Sequence, residues 1–193
     1  MTSTKDKVIQ AAQELISRYG YNRTSMTDVA KQAGLSRQTV YAVFANKEDL
    51  FAETSYHVFH EHLNKTREGI THCTSLGDQL NIYFENMVVR PFIFLQNHPE
   101  AITLWNDADM NNHPAIAKLK NEHRQFLAEL LVPYTKYIGA SGQCPAHMAD
   151  FIIMTCREMK CGKASSIEEL RRLLDTLSAS ILALTSQGGA EAA

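Results

Sequence analysis

Between Gly20 and Asp49 the chain is punctuated so closely that only short, sharply separated helices fit. Gly20 and Gly34 stand where helices stop, Ser25, Ser36 and Asn46 where they start, and Asp28 and Asp49 follow two of those starts by three places. A capping side chain accepts the amide of the third helical residue, an acidic residue there can return the bond, and each such cap is worth about 1 kcal/mol. The spacing predicts a helix after Ser25 that buries Met26, Val29, Ala30 and Ala33, and a very short one from Ser36. A long helix then opens at Asn46 and runs past Phe59 and Leu63 towards Gly69. Ahead of them, Ser3 with Asp6 starts a first helix with Val8, Ile9, Ala12, Leu15, Ile16 and Tyr19 along one face.

The rest of the chain keeps the helical period, and no segment alternates as a strand does. Leu76, Leu80, Tyr83, Phe84, Met87 and Val88 form one stripe, which Pro91 is expected to kink or end. His98-Pro99 and His113-Pro114 read as helix starts with proline in the first position. A stripe from Ile116 through Leu119, Phe126, Leu127, Leu130 and Leu131 to Tyr134 ends in the break between Gly139 and Pro145. Two helices follow. One carries Met148, Phe151, Ile152 and Thr155; the other starts at Ser166 with Glu169 and repeats Leu170, Leu173, Leu174, Leu177, Ile181 and Leu184. The expectation is an all-α protein. Residues 1–46 make an N-terminal three-helix helix-turn-helix domain, a long helix joins it to a larger helical domain over 47–186, and 187–193 form a disordered tail.

Several classes of function are excluded. No apolar run approaches the roughly 20 residues that span a bilayer, and the polar start Met1 to Asp6 lacks a signal-peptide core, so a cytoplasmic address without a membrane is expected. Cys73, Cys144, Cys156 and Cys161 show no Cys-x-x-Cys pair, which predicts reduced thiols and no zinc site. His57 and Glu61 lie four apart on a helix beside His60 and His62, but no third ligand is placed by spacing, so no metal is expected. There is no Ser/His/Asp order, phosphate loop or paired catalytic acid, hence neither an enzyme nor a cofactor site. The formal net charge of −2 hides a gradient: Arg18, Arg23, Lys31, Arg37 and Lys47 face only Asp28 in that stretch. Phosphates respond to charge within a Debye length of roughly 8–10 Å, so the local excess counts for more than the total.

The helix from Ser36 has the layout of a DNA-reading helix. Val40, Val43 and Phe44 can dock inward, which leaves Arg37, Gln38, Thr39 and Tyr41 at the exposed start. A major groove about 12 Å wide admits one helix and is read from that helix's first turn. Arg37 and Gln38 are the candidate base readers, since arginine can pair bidentately with guanine and glutamine with adenine, each worth roughly 1–3 kcal/mol of discrimination. Thr27, early in the preceding helix, is in reach of a base or phosphate from the other side. Lys47 adds an ammonium to a helix N-terminus that already favours an anion.

Residues 5–51 resemble the N-terminal domain of TetR-family transcriptional regulators. The likeness is carried by Ala11-Ala12, Leu15-Ile16, Tyr19-Gly20-Tyr21, Thr24-Ser25-Met26, Asp28-Val29-Ala30, Ala33-Gly34-Leu35-Ser36, Thr39-Val40-Tyr41, Phe44, Asn46-Lys47-Glu48 and Leu50. It implies backbone contacts from Thr39, Tyr41 and Lys47. Gln38 stands where glycine is frequent and Val43 where a histidine or tyrosine often precedes the phenylalanine, so the operator does not follow from relatives. The resemblance further implies a homodimer on a palindromic double-stranded DNA operator, released by a small-molecule effector held in the larger domain. Phe151, Ile152, Leu170, Leu173, Leu174, Leu177 and Ile181 are the expected dimer interface. Tyr83, Phe84, Met87, Arg90, Trp105, His123 and Phe126 are the candidate pocket residues. His123 interrupts an apolar stripe, so it has a polar partner or lines a cavity. The competing expectation keeps the fold but gives the larger domain a protein partner and a filled core.

Overall fold

The computed structural model describes residues 3–102, 110 and 112–186, and among them every regular element is a helix. The elements are α1 (Thr4–Tyr19), α2 (Met26–Ala33), α3 (Arg37–Val43), α4 (Lys47–Ile70), α5 (Leu76–Phe84), α6 (Arg90–Asn97), α7 (Pro114–Leu131), α8 (Thr135–Ala140), α9 (Pro145–Glu158) and α10 (Ile167–Thr185). The all-α expectation holds. The expected tail at 187–193 and the pocket candidate Trp105 lie outside the described residues.

Two compact units emerge: Met1–Glu61 with Phe94–Leu119, and His62–Ile93 with Lys120–Ala193. This differs from the sequence boundary at residue 46. The division falls inside α4, and a segment from the middle of the chain joins the N-terminal unit. Met110, Ala115, Ile116 and Leu119 belong to the same buried apolar core as Val8, Ile9, Ala12, Val29, Val40, Phe44 and Phe51. Three short helices alone bury little apolar area, and the added segment enlarges their core.

The caps set the geometry of the first unit. Ser3 with Asp6 and Ser25 with Asp28 form reciprocal capping boxes on α1 and α2. The bonds from Ser3 and Ser25 hold both aspartates below the usual carboxylate range. Gly34 ends α2 in the left-handed conformation at φ 67°, a region that costs any residue with a Cβ. Ser36 Oγ accepts the Thr39 amide at 3.0 Å and Asn46 Oδ1 the Asp49 amide at 2.7 Å. One expected core residue faces out: Tyr19 is exposed, with the Arg18 guanidinium 5.1 Å from its ring centre.

In the second unit, α10 packs against α5 and α8. Pro91 does not end its helix. A π-helical turn, Glu85–Val89, precedes it, with the Arg90 amide bonded to Glu85 O, and α6 continues beyond. Proline lacks an amide and crowds the carbonyl four residues back, and widening the turn accommodates both defects. A second π-helical turn, Met159–Lys163, closes α9. The stripe expected to reach Tyr134 stops at Leu131, where Pro133 sits in the 3-10 turn Val132–Tyr134.

Most of the expected dimer stripe is buried within its own chain. Ile152, Leu170, Leu174, Leu177 and Ile181 are buried within their own chain, and Leu173 is partly so. An apolar stripe requires burial but does not name its partner; here α10 spends it on α5 and α8. Phe151 alone of that set is exposed, at 55%, joined one turn on by Met154 at 68%.

Candidate nucleic-acid interface

α3 is a seven-residue helix held by its underside. Val40 is 0% exposed and Phe44, at its C-cap, 1%, both within the first unit's core. A helix anchored in this way presents its first turn outward, and Arg37 and Gln38 are exposed there. Tyr41, 46% exposed, shares their side, with the Arg37 guanidinium 6.0 Å from its ring centre. Thr39 is half-buried. Its hydroxyl lies 2.8 Å from Ser36 Oγ and its amide is taken by the same atom. Thr27 is exposed in the first turn of α2, and Val43 is partly buried.

Lys47 opens α4, and its ammonium stands 3.9 Å from the centre of the Tyr21 ring. Burial lowers its pKa, while the neighbouring Glu48 carboxylate pulls it back up. Tyr21 donates its hydroxyl to Glu48 Oε1 at 3.0 Å and meets Phe51 edge-on at 4.9 Å. The ring therefore supports the ammonium from below and limits its freedom at the helix end, where an anion is favoured. Spacing did not reveal this clasp, because Tyr21 precedes Lys47 by most of two helices.

Arg37, Gln38, Thr39, Tyr41, Thr27 and Lys47 thus all belong to the first unit, and each is exposed or partly so. Arg23 and Lys31 add exposed positive charge in the same unit. Donors for base edges, hydroxyls and an ammonium for phosphates, and a short anchored helix match the requirements of major-groove reading.

The candidate pocket residues lie in the second unit. Tyr83, Phe84, His123 and Phe126 form one aromatic cluster, with ring centres 5.4, 5.7 and 6.2 Å from Tyr83 to Phe84, His123 and Phe126. Tyr83 Oη and His123 Nε2 share a hydrogen bond of 2.8 Å, which supplies the polar partner that the apolar stripe demanded. Burial, with the Lys160 ammonium adding to it, lowers the His123 pKa to about 3, so the ring is neutral. Burial likewise pushes the Cys156 thiol up to about 12, leaving it unreactive. Met87 is buried in the π-helical turn and Arg90 is exposed. The Arg67 guanidinium, which sequence reasoning did not single out, lies 5.5 Å from the Phe126 ring centre. A concavity of about 680 Å³ occurs in the first unit, lined by Asp6, Gln10, Gln13, Glu14, Ser17, His57 and Glu61. His57 and Glu61 are 3.5 Å apart there, and among the described residues no group of three or more side chains is placed to hold a metal ion.

A capped, core-anchored α3 with Arg37 and Gln38 at its exposed start has the layout of a DNA-binding helix-turn-helix. Residues 8–54 match the family model described as bacterial regulatory proteins, tetR family, which supports a TetR-family helix-turn-helix over that stretch. It is similar to the HTH-type transcriptional regulator TtgR of Pseudomonas putida, 33% identical over 76 residues, which cover 38% of this chain and 36% of that one. The chain spans about half the length, or less, of the curated relatives it matches. Among solved structures, a regulator from Rhodococcus sp. RHA1 shares the fold at a TM-score of 0.71 and 14% identity, over 93% of this chain and 96% of that one. The regulator FadR of Bacillus subtilis, solved with stearoyl-CoA, does so at 0.59 and 20%, over 94% and 97%. No described helix is long and apolar enough to cross a membrane.

Proposed function

We propose that this chain is a homodimeric, cytoplasmic repressor that holds a palindromic operator through α3 and is released by a small-molecule effector in the second unit. The observation that carries the reading is the exposed pair Arg37 and Gln38 on a helix fixed from beneath by Val40 and Phe44. Arg37 and Gln38 read bases, while Thr27, Thr39, Tyr41 and Lys47 hold phosphate. A second copy covers Phe151 and Met154, two large apolar side chains one turn apart on α9 and more than half exposed. Dimerisation spaces two α3 helices about 34–36 Å apart, one turn of duplex DNA.

The first effector class to try is a long-chain acyl-CoA, since a protein of the same fold was solved with stearoyl-CoA. Its site is sought around His123 and Tyr83. The competing reading, control by a protein partner, draws on the tight burial of Tyr83, Phe84 and Phe126, which leaves their rings packed on one another. Selection from random DNA tests the core of the proposal. A palindrome should emerge, with one half-site position relaxing in Arg37→Ala and another in Gln38→Ala; a selection that returns no preferred sequence refutes it. Adding stearoyl-CoA to the selected complex then separates the two readings: release favours the ligand, and undisturbed binding the partner.

A further inference from the structure

We infer that His113, far beyond the helix-turn-helix in sequence, is a positioning residue for DNA binding: it ties the first turn of α4, which presents Lys47, to the start of α7. The inference rests on the DNA-binding reading above and adds a determinant to it.

His113 is the N-cap of α7, its carbonyl taking the Ala117 amide at 3.0 Å. Its Nδ1 accepts the Ala115 amide at 3.2 Å. An accepting Nδ1 carries no proton, so the ring's proton is on Nε2, which donates to Asp49 Oδ1 at 3.1 Å. Asp49 is equally committed. Its amide goes to Asn46 Oδ1 at 2.7 Å, and its Oδ2 accepts the Ala45 amide at 2.9 Å. One carboxylate therefore closes the turn ahead of α4 with one oxygen and grips the cap of α7 with the other. Both helix N-termini favour a negative charge in that place.

The imidazole is held from its own side as well. Ala115 and Ile116, next along α7, are buried in the core that contains Leu50 and Phe51, so the backbone that carries the ring is fixed in place. Lys47 stands two residues before Asp49 in the same turn, its ammonium on Tyr21 and its neighbour Glu48 on the Tyr21 hydroxyl. The turn carrying the phosphate-binding ammonium is thus fixed on one side by Tyr21 and on the other by a residue outside the helix-turn-helix. A contact that must be ordered at the moment of binding is weaker than one already in place. Loss of the His113 bridge should therefore weaken DNA binding without touching a DNA-facing side chain.

Two substitutions separate this role from mere capping. In His113→Asn the side chain still caps α7, since asparagine is among the best N-caps, but it is too short to reach Asp49. In His113→Gln the amide extends as far as Nε2 and can donate to Asp49, while the cap is lost. Thermal melting should rank His113→Asn above His113→Gln. Binding to random-sequence duplex DNA should rank them oppositely. The Gln variant should keep the wild-type affinity and log-salt slope; the Asn variant should bind about tenfold more weakly, with a slope lower by about 1 per protomer, as Lys47→Ala does. Adding Lys47→Ala to the Asn variant should lower the slope no further. An Asn variant with wild-type affinity and slope overturns the inference alone, as does a Gln variant whose DNA binding falls with its melting temperature. A wild-type chain that binds no duplex DNA overturns the DNA-binding reading with it.

Discussion

At the scale of single residues, the chemistry of this chain lies in how a few polar groups are held. Lys47 is the clearest case. Its sequence position identifies a helix N-terminus, but not the Tyr21 ring 3.9 Å beneath the ammonium, because that contact joins distant positions and leaves no periodic mark. Lys47→Ala should weaken binding to every duplex alike and lower the log-salt slope by about 1 per protomer; titration at several salt concentrations checks both. Tyr21→Leu keeps the ammonium but frees it from its support, so, like His113→Asn, it should weaken binding and lower the slope by up to about 1 per protomer. His123 was more legible, since a histidine in an apolar stripe needs a partner, and Tyr83 is that partner at 2.8 Å. Its ordinary pKa of 6.5 falls to about 3 on folding, so between those values the unfolded chain binds the extra proton. Stability from this group is full above about pH 6.5 and declines as pH falls, by up to about 1.4 kcal/mol per pH unit. Urea midpoints measured from pH 7 down to pH 5 should show the decline, and His123→Gln should flatten it; parallel profiles would assign the acid sensitivity to other groups.

At the scale of elements, starts and stops were legible and partners were not. Ser3, Ser25, Ser36 and Ser166 each cap the helix that follows, and Gly20 and Gly34 end the helices expected to stop there, because capping is chemistry between near neighbours in sequence. The stripe on α10 was equally visible, but a stripe does not name its partner. The pattern of Leu170, Leu174, Leu177 and Ile181 records only that this face is dry, and α5 and α8 of the same chain keep it so. Nor does a sequence disclose a π-helical turn, which trades one hydrogen-bond spacing for another without changing composition; only Pro91 hinted at the one over Glu85–Val89. The packing of α10 on α5 and α8 has a direct consequence. Leu174 is 4% exposed, so Leu174→Asp leaves a carboxylate in an apolar core and removes a packed side chain. The loss should be about 3 kcal/mol or more, read as a lowered denaturation midpoint at every protein concentration. A folded monomer of unchanged midpoint would instead return α10 to the interface.

For the whole molecule, the least legible feature is the recruitment of Phe94–Leu119 into the N-terminal unit. Apolar residues there have the same helical spacing wherever they pack, and the polar ties, His98 Nε2 to Ser17 O at 3.2 Å and His113 to Asp49, link residues too distant in sequence for any local pattern to connect. The DNA-reading apparatus is therefore built from two stretches of chain. The proposed palindromic operator calls for a twin, because one half-site supplies few contacts and two must be rigidly spaced. Phe151 and Met154 lie one turn apart on α9, more than half exposed, where neither serves the core. Replacing both with Glu removes little that holds the protomer together and places two like charges opposite their copies across any two-fold axis through α9. Sedimentation should then give monomers with an unchanged denaturation midpoint at low protein concentration. The selected palindrome should be bound far more weakly, while binding to random duplex DNA falls only by the loss of the second protomer's phosphate contacts. A variant that stays dimeric would move the interface off α9. Monomers that retain full affinity for the palindrome would mean that each protomer reads its half-site alone.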